Sequence, residues 1–144
     1  MHIITQRPKE CHLATLCMLG GLNQVGYESL SNYLPLETKL SWDSIDRSSL
    51  TPIVCNLLNV PEEVANIGIS IACLTGTSPD NLDLSGKGHL VIKFKSGSGH
   101  SLAFEDGIMF DPGLHIKCTW PEWQHDMLPN YLSEKIDSVI VKKI

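Results

Sequence analysis

Residues 99–113 read GHSLAFEDGIMFDPG, and this stretch decides the fold. Asp106-Gly107 stands between two apolar runs, which is a strong signal for a two-residue β-hairpin turn. With these residues as the turn, pairing back along the two strands sets Leu102 opposite Asp111. His100 shares a face with Leu102, so the diagonal from its backbone to that of Asp111 is about 7–8 Å. The hairpin therefore predicts that the carboxylate of Asp111 reaches the imidazole of His100.

The residues before the hairpin are predicted to begin with helices. The segment CHLATLCML (11–19) is apolar nearly all round, which is typical of a buried central helix, and Gly20-Gly21 suits its end. Further helices are predicted at about 26–33, with Tyr27, Leu30 and Leu34 inward, and at 49–58 and 61–66. The other predicted elements are strands at 68–74, 89–95, 114–120 and 136–144 and a short helical piece near 121–132.

Helices followed by an antiparallel meander predict an α+β fold in which the helix at 11–19 packs against the sheet. The chain has 144 residues, enough for one domain with its own hydrophobic core, and we expect a single domain over 1–144. Apolar residues make up 42% and charged residues 19%, which is globular composition.

Charge and hydropathy exclude several classes of function. No stretch approaches the roughly 20 uninterrupted apolar residues of a membrane span, and MHIITQRPKE has no secretory-signal pattern. We therefore expect a cytoplasmic protein that does not enter membranes. The net charge is −5 with scattered basic residues, so nucleic-acid binding is not expected.

One cysteine differs from the other four in its position. Cys11 begins the predicted buried helix, where the helix dipole favours a thiolate. His100 and Asp111 would supply an imidazole and the carboxylate that orients it, and the amide of Gln6 with the backbone N–H of Cys11 could stabilise an oxyanion. Cys17, Cys55, Cys73 and Cys118 are interpreted as buried, reduced thiols.

Gln6-x4-Cys11 before a buried helix, followed by Gly99-His100 and Asp111-Pro112, resembles the papain-like cysteine peptidases. The resemblance spans residues 6–112 and is greatest to the compact domains of bacteriocin-leader peptidases and papain-fold bacterial toxins and effectors. It implies a Cys11–His100–Asp111 triad with Gln6 as oxyanion donor. It also implies a substrate cleft built from the 75–88 connection and the segment after Asp111.

Alternatives exist for each of these residues. His89 also follows a glycine and is the rival base, though we place it near the surface at the start of a strand. Asp111 could be an ordinary turn residue before proline. Trp42, Trp120 and Trp123 are interpreted as core or rim. Cys11, His12, His89, His100 and Asp111 include metal-ligand types, but no recognised ligand spacing is present, and neither a metal nor a cofactor is expected.

Two functional hypotheses follow. The first is a hydrolase: a cysteine peptidase, or a related amidase, deamidase or transglutaminase, acting on a peptide or protein through a thiol nucleophile. The second is an inactive papain-like module that binds a peptide in the same cleft, which the five-residue step from Gln6 to Cys11 and the presence of His12 also fit.

Overall fold

The computed structural model describes residues 1–33, 76–77, 82–131 and 135–143. The helices predicted at 49–58 and 61–66, the strand at 68–74, and Leu34, Trp42, Cys55 and Cys73 lie outside these residues. The rest combines helices with an antiparallel sheet, so the predicted α+β class is confirmed. No helix in the described ranges is long and apolar enough to cross a membrane.

Helix α1 spans Cys11–Leu19, the range predicted from its apolar sequence. All side chains from Leu13 to Leu19 are buried, as expected for a helix without a polar face. The helix ends where the backbone N–H groups of Gly20 and Gly21 donate to carbonyls of its last turn and Gly21 takes a φ of 82°. This helix occupies the centre of one core cluster.

Helix α2 spans Gln24–Tyr33 and begins two residues before the predicted start. Asn23 explains the difference, because its Oδ1 accepts from the backbone N–H of Gly26 at 2.9 Å and so caps the first turn. Tyr27 and Leu30 are buried against α1, as the sequence pattern predicts.

A six-stranded sheet has the order β1-β6-β2-β3-β4-β5, with antiparallel pairing throughout. Its strands are β1 (Gly76–Thr77), β2 (Lys87–Phe94), β3 (Gly99–Glu105), β4 (Ile108–Asp111), β5 (Ile116–Thr119) and β6 (Ile136–Lys143). Strands β2 to β5 form the predicted meander. Strand β6 leaves the sequential order and lies between β1 and β2, which makes β2 a central strand.

A helical segment links β5 to β6. It begins with α3 (Trp120–Glu122), where the Thr119 hydroxyl accepts from the Glu122 backbone N–H at 3.3 Å and Pro121 occupies the first turn. A π-helical turn (Trp123–Met127) and a 3-10 turn (Leu128–Asn130) follow. The helical piece predicted near 121–132 is therefore present, in three different helical geometries.

The two faces of the sheet are covered by different parts of the chain. Helices α1 and α2 pack with Ala103 and Phe110 on one face. Leu102, Phe104 and Met109 point to the opposite face and pack with Trp120 and Trp123 of the helical segment. Since successive residues of a strand alternate between faces, His100 lies on the second face with Leu102.

Candidate active site

The β3–β4 hairpin turns at the two residues that the sequence predicts. Asp106 and Gly107 have φ values of 47° and 83°, the left-handed pair that a tight hairpin turn requires. Ala103 pairs with Phe110, as the turn predicts. Continued by one residue, this register sets Asp111, the last residue of β4, level with Leu102, two residues from His100 along the same face of β3.

His100 and Asp111 are in direct contact. The imidazole Nε2 lies 2.9 Å from Asp111 Oδ1. The contact predicted from the hairpin is therefore confirmed. His100 is 6% exposed and Asp111 is fully buried, so water screens the pair little.

Four further donors surround the Asp111 carboxylate. Oδ1 accepts from the backbone N–H groups of Gly113 (2.8 Å) and Leu114 (3.3 Å), which belong to the turn that follows the strand. Oδ2 accepts from the indole Nε1–H of Trp123 (2.8 Å) and the hydroxyl of Tyr131 (2.7 Å). A buried carboxylate is stable only when its lone pairs are satisfied, and here every partner is a donor.

The hydrogen-bond donors around Asp111 favour its ionised carboxylate. Burial acts to raise the pKa of its carboxyl, but the hydrogen bond and charge of His100, together with Trp123 and Tyr131, outweigh burial and lower it. For His100, burial lowers the pKa, and the bonds and charges of Asp111 and Cys11 raise it to about 9. The contacts of His100 therefore favour the cationic form of its imidazole.

Cys11 begins α1, with its thiol close enough to His100 for the two side chains to shift each other's pKa. Burial acts to raise the pKa of its thiol, but the bond and charge of His100 and the backbone N–H groups of Ser101 and His12 lower it overall. Because His100 Nε2 is held by Asp111 and by the Tyr131 hydroxyl (2.9 Å), Nδ1 is the nitrogen that faces the thiol. The pKa shifts of the two groups therefore run in the directions that favour a thiolate and an imidazolium.

The length of the strands explains how α1 reaches the imidazole across the sheet. Strand β4 is shorter than β3, and their ladder ends where Ala103 meets Phe110. Beyond that point no further β4 residue pairs with β3. The backbone N–H of Ser101, in this part of β3, is close enough to Cys11 to lower the pKa of its thiol.

Gln6 lies beside the turn that follows Asp111, and none of its contacts indicates an oxyanion role. Its backbone N–H donates to the Pro112 carbonyl at 3.0 Å, and its side-chain Nε2 donates to the Arg7 carbonyl at a long 3.4 Å. Its buried Oε1 makes no hydrogen bond with the part of the chain that the structure describes. The oxyanion role of Gln6 stays a prediction.

His89 is not a surface residue, so that prediction is wrong. It is 1% exposed, because its strand begins earlier than expected, at Lys87, and is flanked by β3 and β6. Paired with Ala103, it lies on the α1 face, with its ring centroid 5.0 Å from that of His12. Asp111 lies on the other face and holds His100 instead.

Trp123 and Tyr131 are the site residues that sequence reasoning missed. The Tyr131 ring lies 4.7 Å from that of His100 and 5.7 Å from that of Trp123, measured between centroids. Gly113 makes this packing possible, since a Cβ there would lie 3.0 Å from the Tyr131 hydroxyl and 3.2 Å from His100 Cε1. A tryptophan needs a partner for its N–H when buried, which is the only signal that the sequence carried.

Of the predicted cleft, residues 84–86 lie away from His100 and Cys11. Leu84 and Gly86 bond to the Asp106–Gly107 turn, at the far end of β3 from His100, and the open cavity of about 370 Å³ beside them is remote from the thiol. The segment after Asp111 does adjoin His100.

The other two cysteines in the described part of the chain differ from Cys11 in their surroundings. Cys17 and Cys118 are buried free thiols, as predicted, and burial raises the pKa of both, that of Cys118 to about 11. Within residues 1–33, 82–131 and 135–143, no three His, Cys, Asp or Glu side chains are grouped so that they could hold a metal ion.

Comparisons of the chain with protein-family models, with curated proteins and with solved structures find no match.

Proposed function

We propose that this protein is a papain-like cysteine hydrolase or acyl-transfer enzyme that acts on an amide or ester carbonyl of a peptide or protein. The observation that carries the proposal is the chain of contacts from Cys11 to His100 to the buried Asp111. A purely structural ion pair does not require a thiol at a helix N-terminus. A cysteine nucleophile benefits from that position, because it lowers the pKa of the thiol. Cys17 and Cys118, whose pKa values are raised, show that burial alone gives the opposite shift.

The mechanism follows from the charges. The Cys11 thiolate attacks the carbonyl carbon, and the carbonyl oxygen becomes an oxyanion. The Cys11 backbone N–H and the Gln6 amide stabilise that oxyanion. The His100 imidazolium gives its Nδ1 proton to the leaving group, which departs and leaves a thioester on Cys11. A water or amine, deprotonated by the now neutral His100, resolves the thioester.

Asp111 orients the imidazole in this scheme and favours its cationic form, without itself accepting the proton. Its five donor contacts hold it in place through the reaction.

The test is the alkylation rate of each cysteine by iodoacetamide as a function of pH, measured by peptide mass mapping in the wild type and in His100→Ala. We expect Cys11 to react fast well below its ordinary pKa, and to lose that advantage without His100. Cys118 is the internal control, because its raised pKa keeps it slow in both proteins. Equal reactivity of Cys11 in the two proteins would refute the ion pair.

The second candidate is a papain-like module that binds a peptide without cleaving it. The bond from Gln6 Nε2 to the Arg7 carbonyl favours this candidate, because an amide held there is not directed at a substrate. A peptide library decides between them. Cleavage or transfer that Cys11→Ala abolishes supports the enzyme, and binding that Cys11→Ala leaves unchanged, without turnover, supports the module.

A further inference from the structure

The turn between Gln6 and Cys11 is held in an unfavourable conformation. Its hydrogen bond runs from the Glu10 N–H to the Arg7 carbonyl at 3.1 Å, with Pro8 and Lys9 in the middle. Lys9 has a φ of 63°, the left-handed region that normally requires glycine at this place in a turn. A turn with a strained lysine persists only when its surroundings fix it.

Those surroundings are a buried polar cluster formed by Arg7, Glu10, Tyr27 and Ser31. The Glu10 carboxylate is buried, although it directly precedes Cys11. It accepts from the Tyr27 hydroxyl at 2.5 Å and from the Ser31 hydroxyl at 2.7 Å. The Tyr27 oxygen in turn accepts from the Arg7 backbone N–H at 2.8 Å.

The other end of the turn is bound to the same helix. The Arg7 guanidinium donates to Ser31 Oγ at 3.2 Å and to Asn32 Oδ1 at 2.6 Å. Helix α2 therefore forms hydrogen bonds with both ends of the turn: Arg7, which follows Gln6, and Glu10, which precedes Cys11. Before the turn, the backbone N–H of Gln6 donates to the Pro112 carbonyl.

We infer that Glu10 is a positioning residue which, through Tyr27 and Ser31, fixes the Gln6 amide relative to the Cys11 backbone N–H. This inference rests on the proposed function, in which those two groups stabilise the oxyanion. Oxyanion donors act only when they are placed correctly before the reaction, and small displacements are costly. The groups that lower the pKa of the Cys11 thiol are His100, Ser101 and His12, and they lie outside the cluster.

Two reagents distinguish the need for a Cys11 thiolate from the need for oxyanion donors. Iodoacetamide forms an S–C bond as iodide leaves from a saturated carbon, so it needs the thiolate and no oxyanion donor. p-Nitrophenyl acetate is attacked at its carbonyl, passes through an oxyanion, and forms a thioester as p-nitrophenolate leaves. The ratio of the acylation rate to the alkylation rate of Cys11 therefore measures the oxyanion site alone.

The variants are Glu10→Gln, Tyr27→Phe and Gln6→Ala, with Glu28→Gln as the matched control. Glu28 lies on the same helix and accepts from Gln24 Nε2 at 3.1 Å, outside the cluster. We expect Gln6→Ala to lower the ratio by about 100-fold, as for loss of one oxyanion donor, and Glu10→Gln to lower it by about tenfold. Tyr27→Phe removes a single hydroxyl and should act in the same direction if Glu10→Gln proves too unstable to assay.

Failure of this inference differs from failure of the proposed function. If the wild type is acylated, Gln6→Ala lowers the ratio, and Glu10→Gln and Tyr27→Phe do not, the positioning role is refuted while the enzyme stands. Glu10→Gln lowering both rates by the same factor would also refute it, since the role would then be structural. If wild-type Cys11 is alkylated fast but never acylated, the proposed function falls, and the inference with it.

Discussion

Replacing Asp111 by Asn changes one oxygen to an NH₂ group, at a place where every neighbour is a donor. Oδ1 accepts from His100 and from two backbone N–H groups of the following turn. Oδ2 accepts from Trp123 and Tyr131. In either orientation of the amide, its NH₂ faces at least one N–H group, that of Trp123 on one side or those of Gly113 and Leu114 on the other, and leaves it without an acceptor. The substitution is nearly isosteric and still cannot satisfy the site.

The expected cost follows from these contacts. At least two hydrogen bonds to a charged group are lost, each worth about 1.5–3 kcal/mol, and removing one partner of a buried ion pair costs about 3–5 kcal/mol. We expect Asp111→Asn to lower the free energy of unfolding by about 3–5 kcal/mol. Burial then dominates the pKa of His100, which falls from about 9 and no longer supports the Cys11 thiolate.

Urea unfolding measures the first effect, and the pH dependence of Cys11 alkylation measures the second. Asp126→Asn is the matched control, because Asp126 also contacts a histidine, His125, at 2.6 Å, but both side chains are exposed. We expect that control to change stability by less than about 0.5 kcal/mol. A stability loss under about 1 kcal/mol with an unchanged alkylation profile in Asp111→Asn would show that the carboxylate is not the charged partner of His100.

The remaining predictions concern pH, packing and strain. Because the folded pKa of His100 is raised to about 9, its charge adds stability that is complete below its ordinary value of 6.5 and is lost as pH rises through 9; the lowered pKa of Cys11 acts in the opposite direction, adding stability that is lost as pH falls. The urea midpoint is therefore measured in Cys11→Ala, where only the His100 contribution remains, and a midpoint that does not fall as pH rises above 6.5 would contradict this. Gly113→Ala places a Cβ 3.0 Å from the Tyr131 hydroxyl, so we expect about 1–2 kcal/mol of destabilisation and slower Cys11 alkylation at neutral pH; unchanged stability and rate would count against the close approach. Lys9→Gly relieves a left-handed backbone and should raise the free energy of unfolding by about 1 kcal/mol, with thermal unfolding as the measurement; a lower melting temperature would contradict the strain.

Local turn chemistry explains how much of the site the sequence could predict. Asp106-Gly107 permits only one tight turn, and that turn fixes the register that brings His100 and Asp111 together. The apolar segment 11–19 has no polar face, so it had to be a buried helix. These predictions depend on neighbours in sequence.

The parts that could not be predicted depend on contacts between distant segments. Trp123 and Tyr131 reach Asp111 from a segment that changes from α to π to 3-10 geometry, and no single period marks which of its side chains point inward. His89 is buried because β6 pairs with β2 on its other side, although β6 is the last strand in the chain. The residues next to Gly88-His89 in the sequence do not indicate that pairing.

The order of the site residues along the chain has a consequence for synthesis. Cys11 is made early, His100 and Asp111 much later, and Tyr131 after both, while β6, which inserts between β1 and β2, follows them all. Until the imidazole and its carboxylate have emerged from the ribosome and docked, Cys11 is an ordinary thiol without the partners that lower its pKa. Under the proposed function, the thiol of the nascent chain is therefore unreactive, and folding creates the environment that activates it.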